Sequence, residues 1–308
     1  MKNRILTNIL VLPILFLCIS LTFFSPLTTI SQANLVEEQN HYKIFSGNFF
    51  ELTILKTERP NVKFDVDHFG SANFDFNYIS EYYSSSVFMN SLSNLDGKGY
   101  SFSYLDWNTL GFSDNNFTTV NFNRNNLDRN SSIDVTYTIF NKETEIYDYT
   151  IKPLEQLFIS LNISNWQYTY GTRGIALNII ASFTSSENYY RLGPYIDFIT
   201  DSDYVKIISN ENEFQVEFKP QINVKTKAGI WEKYEAMVFA NYNIKSEEAK
   251  PADFWISVPY RYDISQLIFT FVCSFEINHT ENTSLNAISI VIFSFSIMVI
   301  VYRRFVRK

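Results

Sequence analysis

Cysteine is nearly absent: 308 residues carry two, Cys18 and Cys273. Cys18 falls inside an apolar N-terminal run that reads as a removable leader, so the mature chain keeps Cys273 alone and an intramolecular disulfide is excluded. A secreted domain without bridges must be held by a large core. Histidine is equally scarce. His41, His68 and His279 are isolated from one another, and no H-E-x-x-H or C-x-x-C spacing offers a zinc site. The G-x-S-x-G elbow of serine hydrolases and the glycine loops that cradle phosphate are also missing. Nine glycines and eight prolines accompany an excess of Phe, Tyr, Ile, Asn and Lys, the profile of an AT-rich coding sequence. High aromatic content therefore speaks for strand propensity before it speaks for binding.

Positive charge is concentrated at the two ends. Without Lys2 and Arg4, and without Arg303, Arg304, Arg307 and Lys308, the remaining chain has 19 Lys and Arg against 32 Asp and Glu, a net of −13. A surface of that sign repels phosphate backbones, which excludes nucleic acid as a partner.

Lys2 and Arg4 precede the apolar stretch Ile5 to Phe24, and Ser31-Gln32-Ala33 supplies small residues where a signal peptidase requires them; residues 1–33 read as a signal peptide cut after Ala33. At the other end, Leu285 to Tyr302 is uncharged. As a helix its eighteen residues extend roughly 27 Å, enough to cross a bilayer. The basic tail 303–308 places the C-terminus in the cytoplasm and the N-terminus outside, giving a single-pass plasma-membrane protein that meets lipid through one helix.

Between these ends, residues 34–280 alternate apolar and polar side chains with a period of two, and the segments are punctuated by Asn, Asp, Ser and Gly. Two strands or a bend span Tyr42 to Leu55. Val62, Phe64 and Val66 pair with Phe74, Phe76 and Tyr78 across a turn at Gly70–Asn73, and Asn108 to Ser132 reads as an exposed connection with one weak strand at Thr118 to Phe122. The clearest strands contain Ile133–Ile139, Leu157–Ile163 and Ile175–Ala181, followed by Phe214–Phe218, Met237–Phe239, Phe254–Tyr260 and Leu267–Ile277. Cys273 shares a face with Phe269, Phe271 and Phe275. About a dozen strands and no soluble helix predict an all-β, antiparallel β-sandwich, either one large sandwich or two in tandem with a division near 141–153, plus the single C-terminal transmembrane helix.

Four kinds of site can be read from residue type and spacing. Asn94-Leu95-Asp96-Gly97-Lys98-Gly99 alternates oxygen ligands before a glycine, as calcium loops do, so Asn94 and Asp96 are metal candidates and Ca2+ is the one cofactor the sequence raises. Lys98 at the third ligand position and Leu105 at the twelfth depart from that pattern. N-x-S/T acceptor sites begin at Asn116, Asn130, Asn162, Asn278 and Asn282. In an extended segment Trp166, Tyr168 and Tyr170 would point to one side, a row of rings able to stack on sugars or on an apolar protein patch. The competing reading is that they cap the core where the chain turns at Gly171. Asp65 with Asp67, and Asp201 with Asp203, are spaced as paired carboxylates on a strand face, though such pairs usually face solvent.

The succession of Ile133–Phe140, LFISLNISNWQY (157–168), GIALNIIASF (174–183) and FWISVPYRYD (254–263) resembles a loose group of uncharacterised archaeal cell-surface proteins, over about residues 45 to 280. The resemblance implies a secreted, strand-rich ectodomain held by one C-terminal helix and brings no activity with it. It also implies an aspartate-rich loop at 94–99, from which Lys98 departs. The expected function is thus a non-enzymatic, membrane-anchored surface protein whose acidic sandwich serves recognition, adhesion or envelope structure, with a surface protein or glycan as partner. Two alternatives stand beside it: a carbohydrate- or cell-wall-binding module using the rings at 166–170, and a surface hydrolase whose carboxylates converge only on folding.

Overall fold

A computed structural model describes residues 32–275 apart from 48–49, 57, 67–69, 129, 186–196, 201–204, 209–213, 220 and 241–251. Residues 1–31 of the expected leader, the expected span at 285–302 and the tail at 303–308 lie outside the described residues. Among those described, no helix is long and apolar enough to cross a membrane.

The period-two alternation becomes strand throughout. In chain order the strands are β1 (Asn34–Glu37), β2 (His41–Ser46), β3 (Phe50–Leu55), β4 (Asn61–Val66), β5 (Gly70–Tyr82), β6 (Gly99–Ser101) and β7 (Asn108–Ser113). Next are β8 (Phe117–Arg124), β9 (Ser132–Phe140), β10 (Thr144–Ile146), β11 (Tyr149–Ile151), β12 (Gln156–Ser164), β13 (Gly174–Ser185) and β14 (Asp197–Thr200). Last are β15 (Val205–Ile208), β16 (Phe214–Phe218), β17 (Gln221–Thr226), β18 (Trp231–Glu235), β19 (Met237–Ala240), β20 (Ala252–Pro259) and β21 (Ile264–Phe275).

They form two large antiparallel sheets. The first runs β1-β2-β3-β4-β5-β13-β20-β19 with β6 added on β5; the second runs β14-β15-β16-β21-β12-β9-β8-β7, with β17 on β21 and β18 on β17. Their facing sides carry the core. Phe74 and Phe76 of β5 meet Phe271 of β21 with ring centroids 5.4 and 5.8 Å apart, and all three are fully buried. Each such ring removed from water contributes about 1.5–3 kcal/mol. Cys273 is buried beside them on β21, and burial holds its thiol well above the ordinary range, so it packs as a small protonated hydrophobe.

The sheets also approach at one edge, where β7 and β8 lie beside β1 and β2. Thr118 Oγ1 donates to the Ala33 carbonyl at 3.1 Å, and Thr109 Oγ1 to that of Lys56 at 3.2 Å. A Cβ on Gly111 would lie 2.7 Å from the Tyr42 ring, so only glycine lets the edges come this close. Ala33, after which the leader is expected to be cut, is itself buried, and its N–H donates to Asn141 Oδ1 at 2.8 Å.

The structure differs from the sequence expectation in several places. Gly70–Asn73 is strand, not turn: Val66 pairs with Gly70 and Phe64 with Ala72. Residues 108–124 form two paired strands instead of an exposed connection with one weak strand. The pattern hid β7 because its inward positions are Thr109 and Gly111, while Leu110 and Phe112 point outward. Residues 144–151 form a hairpin whose central Tyr147 and Asp148 both have positive φ, the geometry of a tight two-residue turn without its usual Asn-Gly signature. Its Tyr149 and Ile151 pack on Phe158 and Val272. Strands from before and after residues 141–153 share both sheets.

The most consequential departure is in β5. Asn178 of β13 pairs with Tyr78 while its neighbour Ile179 pairs with Phe76, leaving Asn77 as an extra residue. A bulge of this kind reverses which side chains face inward. Phe74 and Phe76 point into the core before it, Ile79 and Glu81 after it. Tyr78, expected to continue the phenylalanine face, is turned to the other side, where its ring meets Trp255 at 6.3 Å.

Candidate functional site

The bulge drives a carboxylate into the end of the sandwich, where β5, β12 and β20 finish and β13 and β21 begin. Glu81 is fully buried. An ionised carboxylate taken out of water costs several kcal/mol unless its oxygens are hydrogen-bonded or paired, and here they are. Oε1 accepts from Trp166 Nε1 at 3.1 Å and from the Thr169 N–H at 3.0 Å; Oε2 accepts from Thr172 Oγ1 at 3.0 Å. Lys98 Nζ stands 3.8 Å from Oε1, 3.0 Å from Asp128 Oδ2 and 4.8 Å above the Trp166 ring, and it donates to the Gln167 carbonyl.

The two stretches singled out by sequence therefore meet, at a residue the sequence did not single out. Residues 94–99 lie along the C-terminal end of β5: the Glu81 N–H donates to the Lys98 carbonyl and the Tyr83 N–H to that of Asn94, both at 2.8 Å. Gly97 makes this possible, since a Cβ there would fall 2.5 Å from the Cβ of Glu81. Asn94 Oδ1 accepts from the Ser91 N–H at 3.1 Å and caps the short 3-10 turn Leu92–Asn94, while Asp96 is exposed. Among the described residues no group of three His, Cys, Asp or Glu converges to hold a metal. The cation beside Glu81 is the loop's own lysine.

The rings of 166–170 meet three different surroundings. Asn165, with φ +53°, ends β12, and Gly171, with φ +87°, turns the chain again, so the residues between are not strand. Trp166 is buried, its ring edge-on to Tyr100 at 5.7 Å. Tyr168 sits edge-on to Tyr260 at 4.6 Å; its ring is partly accessible, but its hydroxyl is buried and has no hydrogen-bond partner. Burial, reinforced by the Glu81 charge and the phenols of Tyr234, Tyr82 and Tyr260, raises the Tyr168 pKa far above the ordinary phenol value and keeps it neutral. Tyr170 is fully exposed.

A second segment completes this end. The Arg173 N–H donates to the Tyr82 carbonyl at 2.9 Å and the Tyr260 N–H to that of Arg173 at 2.6 Å, tying Tyr260–Tyr262 to the turn after Tyr170. Tyr260 and Tyr262 are exposed. Between them Arg261 is held by Glu232 at 2.6 Å and Asp263 at 2.7 Å, with its guanidinium 5.8 Å over the Tyr234 ring. Sequence reasoning passed over Glu81, Thr172 and Tyr260. The only available hint was an acid standing among the aromatic and aliphatic residues Tyr78, Ile79, Tyr82 and Tyr83.

Of the acceptor asparagines, Asn116 and Asn130 are exposed, Asn130 with φ +80°, whereas Asn162 is half-buried in β12 with its Oδ1 buried and without a partner. Asn278 and Asn282 lie outside the described residues. Asp65 pairs with Lys63 at 2.7 Å and His41 with Glu38 at 3.2 Å; Asp67, Asp201, Asp203, His68 and His279 fall outside the described residues.

No family model matches the chain, and no curated protein matches it. Among solved structures it is similar to a heparan sulfate lyase HepC mutant from Pedobacter heparinus, with a TM-score of 0.39 and 8% identity over 79% of this chain and 36% of that one. The chain thus spans about a third of the lyase's length. It is similar also to galactose 1-epimerase from Lactobacillus acidophilus NCFM, with a TM-score of 0.38 and 9% identity over 80% and 98% of the two chains. A third is the Slr1438 protein from Synechocystis sp. PCC 6803, at 0.36 and 9% over 79% and 96%. Similarity of this order transfers neither a site nor an activity.

Proposed function

We propose that the protein is a non-enzymatic surface protein, anchored in the plasma membrane by residues 285–302 with the tail 303–308 inside, whose acidic sandwich recognises a partner through the aromatic end above Glu81. The observation that carries this reading is the state of Glu81. A general acid or base must reach the proton it transfers. Glu81 has no exposed surface, and both its oxygens are engaged by the chain's own donors. Its work is to fix residues 166–172 and 94–99, and a fixed loop loses less entropy on binding than a mobile one. What it supports is a group of exposed rings, Tyr170, Tyr260 and Tyr262, of the residue type that supplies contact area at low entropic cost.

The full-length chain, purified in detergent and mixed with envelope fragments of its own cells, should sediment with them. The Tyr260→Ala, Tyr262→Ala double variant should stay in the supernatant. Failure of the wild type to sediment overturns the reading. Protease added to intact cells should remove the large N-terminal portion, and trimming of the last six residues alone would reverse the orientation.

A further inference from the structure

Among the buried polar atoms without a hydrogen-bond partner, the Tyr168 hydroxyl lies at this end. Tyr168 Oη is buried and unpartnered, while its neighbour Tyr82 donates to the Val87 carbonyl at 2.8 Å. Leaving such a hydroxyl unsatisfied costs about 1–3 kcal/mol, and it cannot relax away: Trp166, Thr169 and Thr172, on either side of it, are all bonded to Glu81. Its surroundings are the phenols of Tyr82, Tyr234 and Tyr260, with Tyr260 half-exposed over it. A ligand reaching this position would meet a hydrogen-bonding phenol at Tyr168 and an apolar ring at Tyr260.

We infer that the aromatic end binds a neutral saccharide, with one sugar hydroxyl bonded to Tyr168 Oη and the ring faces of Tyr260 and Tyr262 covering the sugar's C–H side. The inference rests on the recognition reading above and names its ligand class. Rings that stack and a phenol that both donates and accepts are suited to polyols. The net charge of −13 between the ends disfavours an anionic sugar, and two cations at this end are already engaged, Arg261 by Glu232 and Asp263 and Lys98 by Asp128. A sugar hydroxyl is small enough to reach the phenol once the Tyr260 ring shifts, and the same small molecule carries the C–H face that would lie against the rings.

The test uses the full-length chain in a detergent that contains no sugar, titrated calorimetrically with neutral glucose, mannose, galactose and N-acetylglucosamine tetramers. At least one should bind. Tyr168→Phe removes a single oxygen and should weaken that binding about tenfold or more, the equivalent of one hydrogen bond, while its urea midpoint is unchanged or higher because the orphan is gone. Tyr262→Ala, at an exposed position, should weaken binding of the same sugar without lowering the urea midpoint. Equal affinity of Tyr168→Phe and wild type overturns the assignment of the hydroxyl, and binding of none of the four tetramers overturns the saccharide. If the wild type still sediments with envelopes in that case, the recognition reading survives and only its ligand is wrong; if it does not, both fall.

Discussion

Two stretches of one strand, separated by a single extra residue, treat their carboxylates in opposite ways. Before the bulge at Asn77, β5 turns Asp75 outward onto the face of the first sheet, where Arg59 reaches both Asp75 at 3.2 Å and Asn77 at 2.9 Å. From Asn77 a polar ladder continues to Asn178 at 2.7 Å and on to Asp253 at 2.5 Å. After the bulge, Glu81 is turned inward and needs three neutral donors and a resident ammonium. The outward acid is partly solvated and has one charged partner, so the sheet would survive its loss. The inward acid has no water to fall back on, and two loops from distant parts of the chain take their shape from it. The position of one inserted residue decides which carboxylate is decoration and which is framework.

Removing Glu81 should produce the largest effect. Glu81→Ala strands the Trp166 indole and the Thr169 N–H, leaves Thr172 only the Tyr83 hydroxyl and Lys98 only Asp128 and the Gln167 carbonyl, and breaking a buried charged pair from one side typically costs about 3–5 kcal/mol. Urea denaturation should show that loss as a lower midpoint at unchanged slope. A cost below about 1 kcal/mol, the value for exposed pairs, would erase the distinction between the two acids.

The architecture was legible because β9, β12 and β13 alternate cleanly, with Ile133, Val135 and Tyr137, or Leu157, Ile159 and Leu161, on one face. The bulge was not. In Phe74 to Tyr83 aromatic residues occur on both sides of Asn77, so the change of face leaves no trace in hydropathy, and it is set by pairing with Asn178, about a hundred residues away. The site was half legible. Residues 94–99 and 166–170 were singled out, one for oxygen ligands and the other for a row of rings, and both do reach the site. They reach it in other roles, because Lys98 supplies the cation and the backbone breaks at Asn165 and Gly171 send the three rings in different directions. The residue that unites them could not be found from spacing, since its partners lie 17 and 85–91 positions away.

Gly97→Ala tests the framework without touching a charge. The added methyl would meet the Cβ of Glu81 at 2.5 Å and its carbonyl at 3.1 Å, neither of which belongs to a flexible side-chain end. Overpacking of this kind costs about 1–3 kcal/mol. The expected midpoint lies between those of wild type and Glu81→Ala, and the variant should bind envelope fragments more weakly because the 94–99 loop must lift. On the outward side, Arg59→Ala should cost no more than about 1 kcal/mol by the same measurement, since its pair with Asp75 is partly exposed.

The smallest effect is also the one whose sign separates the two acids. Desolvation raises the Asp75 pKa above the ordinary carboxylate value, and the charge and hydrogen bond of Arg59 only partly offset it. An acid whose pKa is higher folded than unfolded binds its proton more tightly in the native state, so its favourable contribution is complete below the unfolded pKa and fades as pH rises through the folded one. Asp75 should therefore impose a small loss of stability across the upper carboxylate range, and Asp75→Asn should remove that slope while leaving the protein at neutral pH as stable as wild type or slightly more so. Urea midpoints taken from the acid side of the carboxylate range up to neutral pH would show it. If Asp75→Asn instead costs several kcal/mol at neutral pH, the outward ladder is as much framework as the inward carboxylate, and the bulge does not divide β5 into two kinds of site.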